Sequence, residues 1–272
     1  MAMEGRSCSY LLFILVLAAG VAGCGTMQNG RGWGQDATLS PGWARLGRAA
    51  LDAASTPETW GPAAGALAFQ AGRADRKTAE WAARETPVYG SRERADRMSY
   101  ELRDAAGAIW VASGIAAPSG DAPGEWAVAK AEGFGVQTGA GILMREAVGY
   151  LKTETDRTRP NGVDKGSFPS AHASGAALYT TFASRNIETM SWPSGATLAS
   201  EASLGALTVV TAWARVEAGQ HYPSDVLGGI ALGHFFGSFF TEAFMGVDSR
   251  DHALLLFEPF REGAVALLRL TF

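Results

Sequence analysis

The sequence predicts an all-α protein, folded as a helical bundle, with a short β-hairpin at its C-terminus. From about residue 60 onward, apolar residues follow helical patterns between prolines, glycines and polar turns. The apolar runs are short, and the longest, Val226 to Phe240, is interrupted by glycines and by His234. Because a membrane span needs about 20 consecutive apolar residues, we expect a soluble bundle.

Composition narrows the class of protein. The chain has 272 residues, 47% of them hydrophobic, and a formal net charge of -4. These values exclude a disordered or collagen-like chain, and a mildly acidic protein is poorly suited to bind a nucleic-acid backbone. The length allows one large domain or two small ones.

Residues 1–23 have the features of a secretory signal peptide. A basic residue precedes an apolar run, Tyr10 to Val21, which is followed by two small residues and Cys24. The sequence Val-Ala-Gly-Cys resembles the lipobox of bacterial lipoproteins, in which the cysteine is acylated and becomes the new N-terminus. Val21 replaces the usual leucine of that motif, and Glu4 weakens the positive N-terminal region. The alternative is a plain signal peptide with an incidental cysteine.

The lipoprotein interpretation predicts where the protein resides. Cleavage before Cys24 removes the only other cysteine, Cys8, so the mature chain can form no internal disulfide. Residues 24–42 are rich in glycine and polar residues and predict a flexible tether with a reach of about 20–25 Å. By resemblance to the lipoprotein sorting rule, Gly25 favours the outer over the inner membrane. We therefore expect a periplasm-facing lipoprotein of the cell envelope, held at the membrane by its lipid anchor.

Six helices are expected within the helical domain of residues 43–250. Proline- and glycine-rich turns such as Ser191–Gly195 separate them, and Pro223 opens the last one. Residues 251–272 differ, because two apolar runs flank residues 261–263 and predict the hairpin. The predicted helices span Ala74–Arg84, Glu93–Ala117, Glu125–Leu151, Ser170–Arg185, Thr197–Val216 and Pro223–Met245.

The first of three polar blocks is Lys152 to Pro160 (KTETDRTRP). If Lys152 ends a helix and Arg159 lies in the loop beyond, both side chains can point into one cleft. Arginine offers a planar fork that matches phosphate oxygens, and lysine offers a point charge. A solvated charged loop explains this block equally well when it is taken alone.

The second block, Pro169 to His172 (PSAH), lies where a helix begins. Ser170 is suited to be an ordinary N-cap. A helix N-terminus also presents free backbone N–H groups that can hold a phosphate, and His172 would face that phosphate from the first turn.

The third block, Arg215 to Asp225 (RVEAGQHYPSD), connects two helices. An aspartate in the first turn of a helix complements the helix dipole, which is the simplest role for Asp225. In the functional interpretation, Asp225 accepts a hydrogen bond from one ring nitrogen of His221 and leaves the other nitrogen free to attack.

Taken together, the three blocks resemble the site of the type 2 phosphatidic acid phosphatase family. That family shares its site with bacterial class A acid phosphatases and vanadium haloperoxidases, and the likeness covers roughly residues 60 to 245. The motifs are Lys-x6-Arg-Pro, Pro-Ser-x-His and Arg-x5-His-x3-Asp, in this order. The resemblance implies the helical bundle of these enzymes.

The resemblance also implies a role for each group. His221 attacks phosphorus to give a phosphohistidine, Asp225 orients His221, and His172 protonates the leaving oxygen. No metal or other cofactor is expected, because the three cations neutralise the phosphate charge. The groups expected to bind the phosphate are Lys152, Arg159, Ser170, the backbone N–H of Ala171, and Arg215.

The sequence departs from the family pattern at two positions. Ala171 stands where the usual motif has glycine, so a methyl group is expected to crowd the phosphate. Ala214 replaces a serine that often precedes the arginine of the third block. Neither change removes a catalytic group.

We therefore expect a metal-independent phosphatase that hydrolyses phosphomonoesters or lipid (pyro)phosphates through a phosphohistidine. Its partners would be a phosphorylated small molecule or lipid and the anchoring membrane, with no nucleic acid. One alternative is a vanadium haloperoxidase, which would hold vanadate as its cofactor. The other is a non-catalytic envelope lipoprotein that kept the fold.

Overall fold

The computed structural model describes residues 23–71, 74–247, 253–260 and 263–270. The predicted signal peptide, apart from its last residue, lies outside these ranges. Within them the chain forms eight α-helices and one hairpin, and a π-helical turn, Thr241–Met245, continues the last helix. The helices are α1 (Trp43–Ser55), α2 (Pro57–Gln70), α3 (Ala74–Glu85), α4 (Arg92–Ala116), α5 (Pro123–Thr155), α6 (Ala171–Glu188), α7 (Ser194–Glu217) and α8 (Pro223–Phe240).

The six predicted helices are all present, and the all-α prediction is confirmed. The helix predicted to continue to Met245 ends at Phe240, where the π-helical turn begins. The structure also contains α1 and α2, which the sequence did not predict as separate helices. Helix α2 has Pro57 in its first turn, where the missing N–H of proline leaves no hydrogen bond unmade. None of the described helices is both long and apolar enough to cross a bilayer.

The predicted C-terminal hairpin is also present. Strand β1 (Ala253–Phe260) pairs antiparallel with β2 (Gly263–Leu270), in a register that places Ala253 opposite Leu270 and Phe260 opposite Gly263.

The flexible tether expected over residues 24–42 is not what the structure shows. Trp33 is only 1% exposed, and its indole Nε1 donates a hydrogen bond to Asn186 Oδ1 at 2.9 Å. Gly25 forms a β-bridge with Gly120, just before α5. The glycine-rich composition predicted flexibility, but one large aromatic side chain and a few backbone hydrogen bonds fix this segment to the bundle.

The core is centred on α6, which packs most closely against α8 and is also flanked by α4 and α7. Glycines on α8 make the close approach possible. A Cβ at Gly233 would lie 2.2 Å from the backbone oxygen of Ser174, and one at Gly229 would lie 2.7 Å from that of Ser170. These distances leave no room for a side chain, so the two helices meet backbone to backbone. Their contact places the start of α6 beside the start of α8.

Candidate active site

The three blocks lie at helix ends that meet at one end of the bundle. Lys152 is in the last turn of α5, and its Nζ donates to the backbone oxygen of Gly166, close to the start of α6. Arg159, in the loop after α5, donates from Nη1 to Gln220 Oε1 at 2.5 Å, next to His221. The structure therefore brings the first block against the loops that carry the second and third blocks.

The second and third blocks are joined directly. Ser170 is the N-cap of α6, and its hydroxyl accepts from Ala173 N at 3.4 Å. Its own backbone N–H donates to the backbone oxygen of Asp225 at 3.0 Å. The ordinary capping role is thus real, but a hydroxyl that accepts one hydrogen bond keeps its proton to donate elsewhere.

Each of the three blocks contributes one buried nitrogen that has no hydrogen-bond partner among the residues that the structure describes. These atoms are Arg159 Nε, His172 Nε2 and Arg215 Nε. Leaving a buried polar atom unpaired costs about 1–3 kcal/mol, and more for a charged group, so native structures seldom do so without a functional reason. Three such atoms from three distant blocks indicate a site that an anion would satisfy.

His221 is oriented by a backbone carbonyl. The side chain is almost fully buried, and Nδ1 lies 2.7 Å from the backbone oxygen of Ser167. A carbonyl can only accept, so Nδ1 carries the proton and Nε2 holds the lone pair. The predicted hydrogen bond from His221 to Asp225 is wrong, because Asp225 Oδ2 lies 3.8 Å from Nδ1, too far for a hydrogen bond.

Asp225 binds the hydroxyl of Ser167, the residue whose carbonyl orients His221. The carboxylate is completely buried and accepts from Ser167 Oγ at 2.5 Å, from Tyr222 N at 2.8 Å and from Arg157 Nη1 at 2.6 Å. Burial by itself would raise the pKa of Asp225, but these donors, His221 and the charge of Arg157 outweigh it, and the pKa lies below its ordinary value. The carboxylate is therefore ionised at neutral pH.

The cations and imidazoles perturb one another. Burial, followed by the charges of Arg159 and Arg215, lowers the pKa of Lys152 to about 8. Burial lowers the pKa of His221 to about 4, where Asp225 opposes the shift and Arg215 adds to it. Burial and then Arg215 lower the pKa of His172 to about 3. Both imidazoles are thus neutral at pH 7, and a bound anion would counteract the positive field.

Helix α4 supports the site with residues that sequence reasoning missed. Arg215 Nη1 donates to Asp96 Oδ1 and, at 3.0 Å, to Ser99 Oγ. The Tyr100 ring meets the His172 ring edge to face, with centroids 4.3 Å apart. No motif marks these positions, because they are single residues on a long helix that only the tertiary fold brings to the site.

The predicted lipidation residue lies apart from all of these groups. Cys24 is exposed and precedes the bridge between Gly25 and Gly120 at the start of α5. Lys152 is near the other end of that helix, roughly 44 Å further along its axis at about 1.5 Å per residue.

Comparison with known proteins gives one family match. Residues 136–246 match the family model of the PAP2 superfamily, a range that includes all eight predicted catalytic and phosphate-binding residues but not helices α1 to α4. The sequence matches no curated protein. The structure is similar to the crystal structure of a transmembrane PAP2 type phosphatidylglycerolphosphate phosphatase from Bacillus subtilis, at 20% identity over 65% of this chain and 88% of that chain, with a TM-score of 0.48.

Proposed function

We propose that this protein is a phosphatase that hydrolyses phosphomonoesters or lipid (pyro)phosphates through a phosphohistidine on His221. One observation carries the proposal: within the described residues, unpaired buried nitrogens of Arg159, His172 and Arg215 lie close enough to influence one another, next to a buried His221 whose tautomer leaves Nε2 free. The family match over residues 136–246 supports the same chemistry.

The donors suit a phosphate with three non-bridging oxygens. Arg159 and Arg215 offer their Nε–H groups, and Lys152 adds a point charge. The hydroxyl of Ser170 and the backbone N–H of Ala171, at the start of α6, add neutral donors at the positive end of the helix dipole. We propose that these groups neutralise the phosphate without a metal ion.

Two chemical steps follow from this arrangement. In the first, His221 Nε2 forms a bond to phosphorus as the ester P–O bond breaks, and the leaving oxygen takes a proton from His172 Nε2. In the second, water attacks phosphorus and gives a proton back to His172, while the P–N bond breaks and releases inorganic phosphate. Because burial and Arg215 hold the pKa of His172 low, the negative substrate must raise it before this residue can act as the acid.

His221→Ala is expected to abolish the release of phosphate from p-nitrophenyl phosphate, since it removes the nucleophile. His234→Gln is the matched control, because His234 lies in α8 and contacts Thr59 at 2.8 Å, away from the site. Wild-type activity is expected to persist in EDTA. Normal turnover by folded His221→Ala would end the proposal.

Measuring bromide oxidation alongside phosphate release separates the two alternatives from a phosphatase. A haloperoxidase would oxidise bromide with peroxide once vanadate is added, and would release little phosphate. A binding protein would do neither. For a phosphatase, vanadate acts only as an inhibitor that mimics five-coordinate phosphorus.

We further propose that Cys24 is acylated and anchors the protein in the cell envelope, facing the periplasm. Mass spectrometry of the mature N-terminus tests this directly: an unmodified Cys24, or cleavage elsewhere, would contradict it.

A further inference from the structure

We propose that Arg157 and Asp75 are positioning residues for the reaction at His221. This inference rests on the proposed phosphatase function, but neither residue belongs to the three motifs. The two side chains form a chain of ionic hydrogen bonds that ends on the buried carboxylate of Asp225.

Arg157 is the link to the site. Its Nη1 donates to Asp225 Oδ1 at 2.6 Å and to Ser224 Oγ at 2.7 Å, and its Nη2 donates to Asp75 Oδ2 at 2.5 Å. Its guanidinium also lies over the Tyr222 ring, 4.3 Å from the centroid. Arg157 therefore holds two carboxylates and the first turn of α8 together.

Asp75 holds the other end of the chain. Its side chain is 7% exposed, and it accepts from Ser224 N at 2.9 Å and from Ser224 Oγ at 2.6 Å, in addition to Arg157. Asp75 lies in the first turn of α3, a helix outside the matched range 136–246. A helix that is not part of the matched segment thus fixes the orientation of Asp225.

The surroundings of these two residues differ from those of the phosphate-binding groups. Arg157, Asp75 and Tyr222 line a largely apolar cavity of about 1190 Å³ between α2 and α8, whereas Arg159 and His221 do not line it. Both terminal nitrogens of Arg157 are occupied by side chains of the protein. We therefore expect the pair to affect the rate of the chemical step and not the affinity for the phosphate.

The effect passes through four contacts. Asp75 restrains Arg157, Arg157 restrains Asp225, and Asp225 accepts from the hydroxyl of Ser167, whose carbonyl orients His221. Because an attacking group must be held close to its productive geometry, displacing it by about 1 Å can reduce the rate by roughly 100-fold.

The experiment compares Asp75→Asn, Arg157→Met, the double variant and the control Glu80→Gln. Glu80 lies on the same helix, but its side chain is 61% exposed and pairs with Arg76. We measure kcat and KM for p-nitrophenyl phosphate and the inhibition constant of inorganic phosphate, which binds to the same donors without bonding to His221. Asp75→Asn is expected to lower kcat by about 10-fold or more, to leave the phosphate inhibition constant within about 2-fold, and to have no further effect once Arg157 is Met. Glu80→Gln is expected to match the wild type.

Two results would overturn the inference. If the binding of inorganic phosphate weakens in parallel with kcat, Arg157 and Asp75 belong to the phosphate-binding groups. If folded Asp75→Asn keeps the wild-type kcat, the two residues do not position His221. Should Asp75→Asn fail to fold, Ser224→Ala removes two of the same hydrogen bonds and is held to the same two criteria. A wild type that releases no phosphate would refute the proposed function itself, whereas the two results above refute only this inference.

Discussion

The His221 ring donates its Nδ1 proton to the Ser167 carbonyl, so its Nε2 holds the lone pair that would attack phosphorus. The sequence predicted that a hydrogen bond from one ring nitrogen leaves the other nitrogen free, but it assigned that hydrogen bond to Asp225. Asp225 instead accepts from the Ser167 hydroxyl, and its carboxylate lies 3.8 Å from His221 Nδ1. A backbone carbonyl has no signature in a sequence, which is why Ser167 could not be predicted.

The charge of Lys152 predicts how kcat/KM depends on pH. Burial lowers its pKa to about 8, so in the free protein it loses its charge above pH 8 and not above its ordinary pKa near 10.5. Above pH 8, each further pH unit lowers the fraction of molecules with a charged Lys152 about tenfold. We therefore expect kcat/KM to fall with that fraction. In Lys152→Arg the charge persists, because arginine stays protonated throughout this range.

The ratio of kcat/KM for Lys152→Arg to that of the wild type isolates this ionisation from those of the substrate and the histidines. The ratio is expected to stay constant between pH 5 and 7 and to rise roughly tenfold per unit above pH 8. A ratio that does not change with pH up to 10 would show that Lys152 is not the cation that titrates.

At the scale of elements, helix ends supply most groups of the candidate site, and the loops next to them supply Arg159 and His221. The last turns of α5 and α7 carry Lys152 and Arg215, and the first turns of α6 and α8 carry His172 and Asp225. Helix ends present unpaired backbone groups and can carry polar side chains without disturbing the apolar faces of the bundle. The close contact of α6 and α8 then fixes these ends relative to one another.

The glycines of α8 make that contact testable. In Gly233→Ala the new Cβ would lie 2.2 Å from Ser174 O, so α6 and α8 must separate. We expect the free energy of unfolding to fall by about 1–3 kcal/mol, as is typical of overpacked cores. Urea denaturation followed by circular dichroism measures this change.

Gly205→Ala is the matched control, because Gly205 is an exposed residue of α7 with open space at the Cβ position. There the same substitution is expected to stabilise the helix by up to about 1 kcal/mol. Equal effects at the two positions would show that α6 and α8 do not depend on backbone contact.

Helical periodicity and breaker residues predicted six helices and the hairpin, because these signals are local. The separate helices α1 and α2 were not predicted, and the segment around Trp33 was predicted as a tether. Its burial depends on contacts with Pro118 and Asn186, which are distant in the sequence. Similarly, the motifs predicted which residues could bind phosphate, whereas Arg157 and Asp75 depend on a contact between parts of the chain 82 residues apart.

At the scale of the whole molecule, Cys24 and the candidate site lie at opposite ends of the bundle. Cys24 is next to the start of α5, and Lys152 is near its end. If Cys24 carries the lipid, the site faces away from the anchoring bilayer. This geometry favours a substrate that reaches the protein from solution or from another membrane.

Protein coupled to vesicles through Cys24 is therefore expected to hydrolyse p-nitrophenyl phosphate as fast as uncoupled protein. A lipid phosphate placed in separate vesicles should be hydrolysed faster than one placed in the vesicle that holds the protein, at dilutions where vesicles rarely collide. Faster turnover of the lipid in the protein's own vesicle would contradict this orientation.

The central claim is that residues from three distant blocks form one phosphate site with His221 as its nucleophile. The most direct test is to quench the protein during turnover of a ³²P-labelled ester and locate the label by mass spectrometry. The claim predicts an acid-labile, alkali-stable phosphoryl group on His221, absent from His221→Ala and retained in His234→Gln. Label on another residue, or turnover with no labelled histidine under conditions that slow the second step, would contradict it.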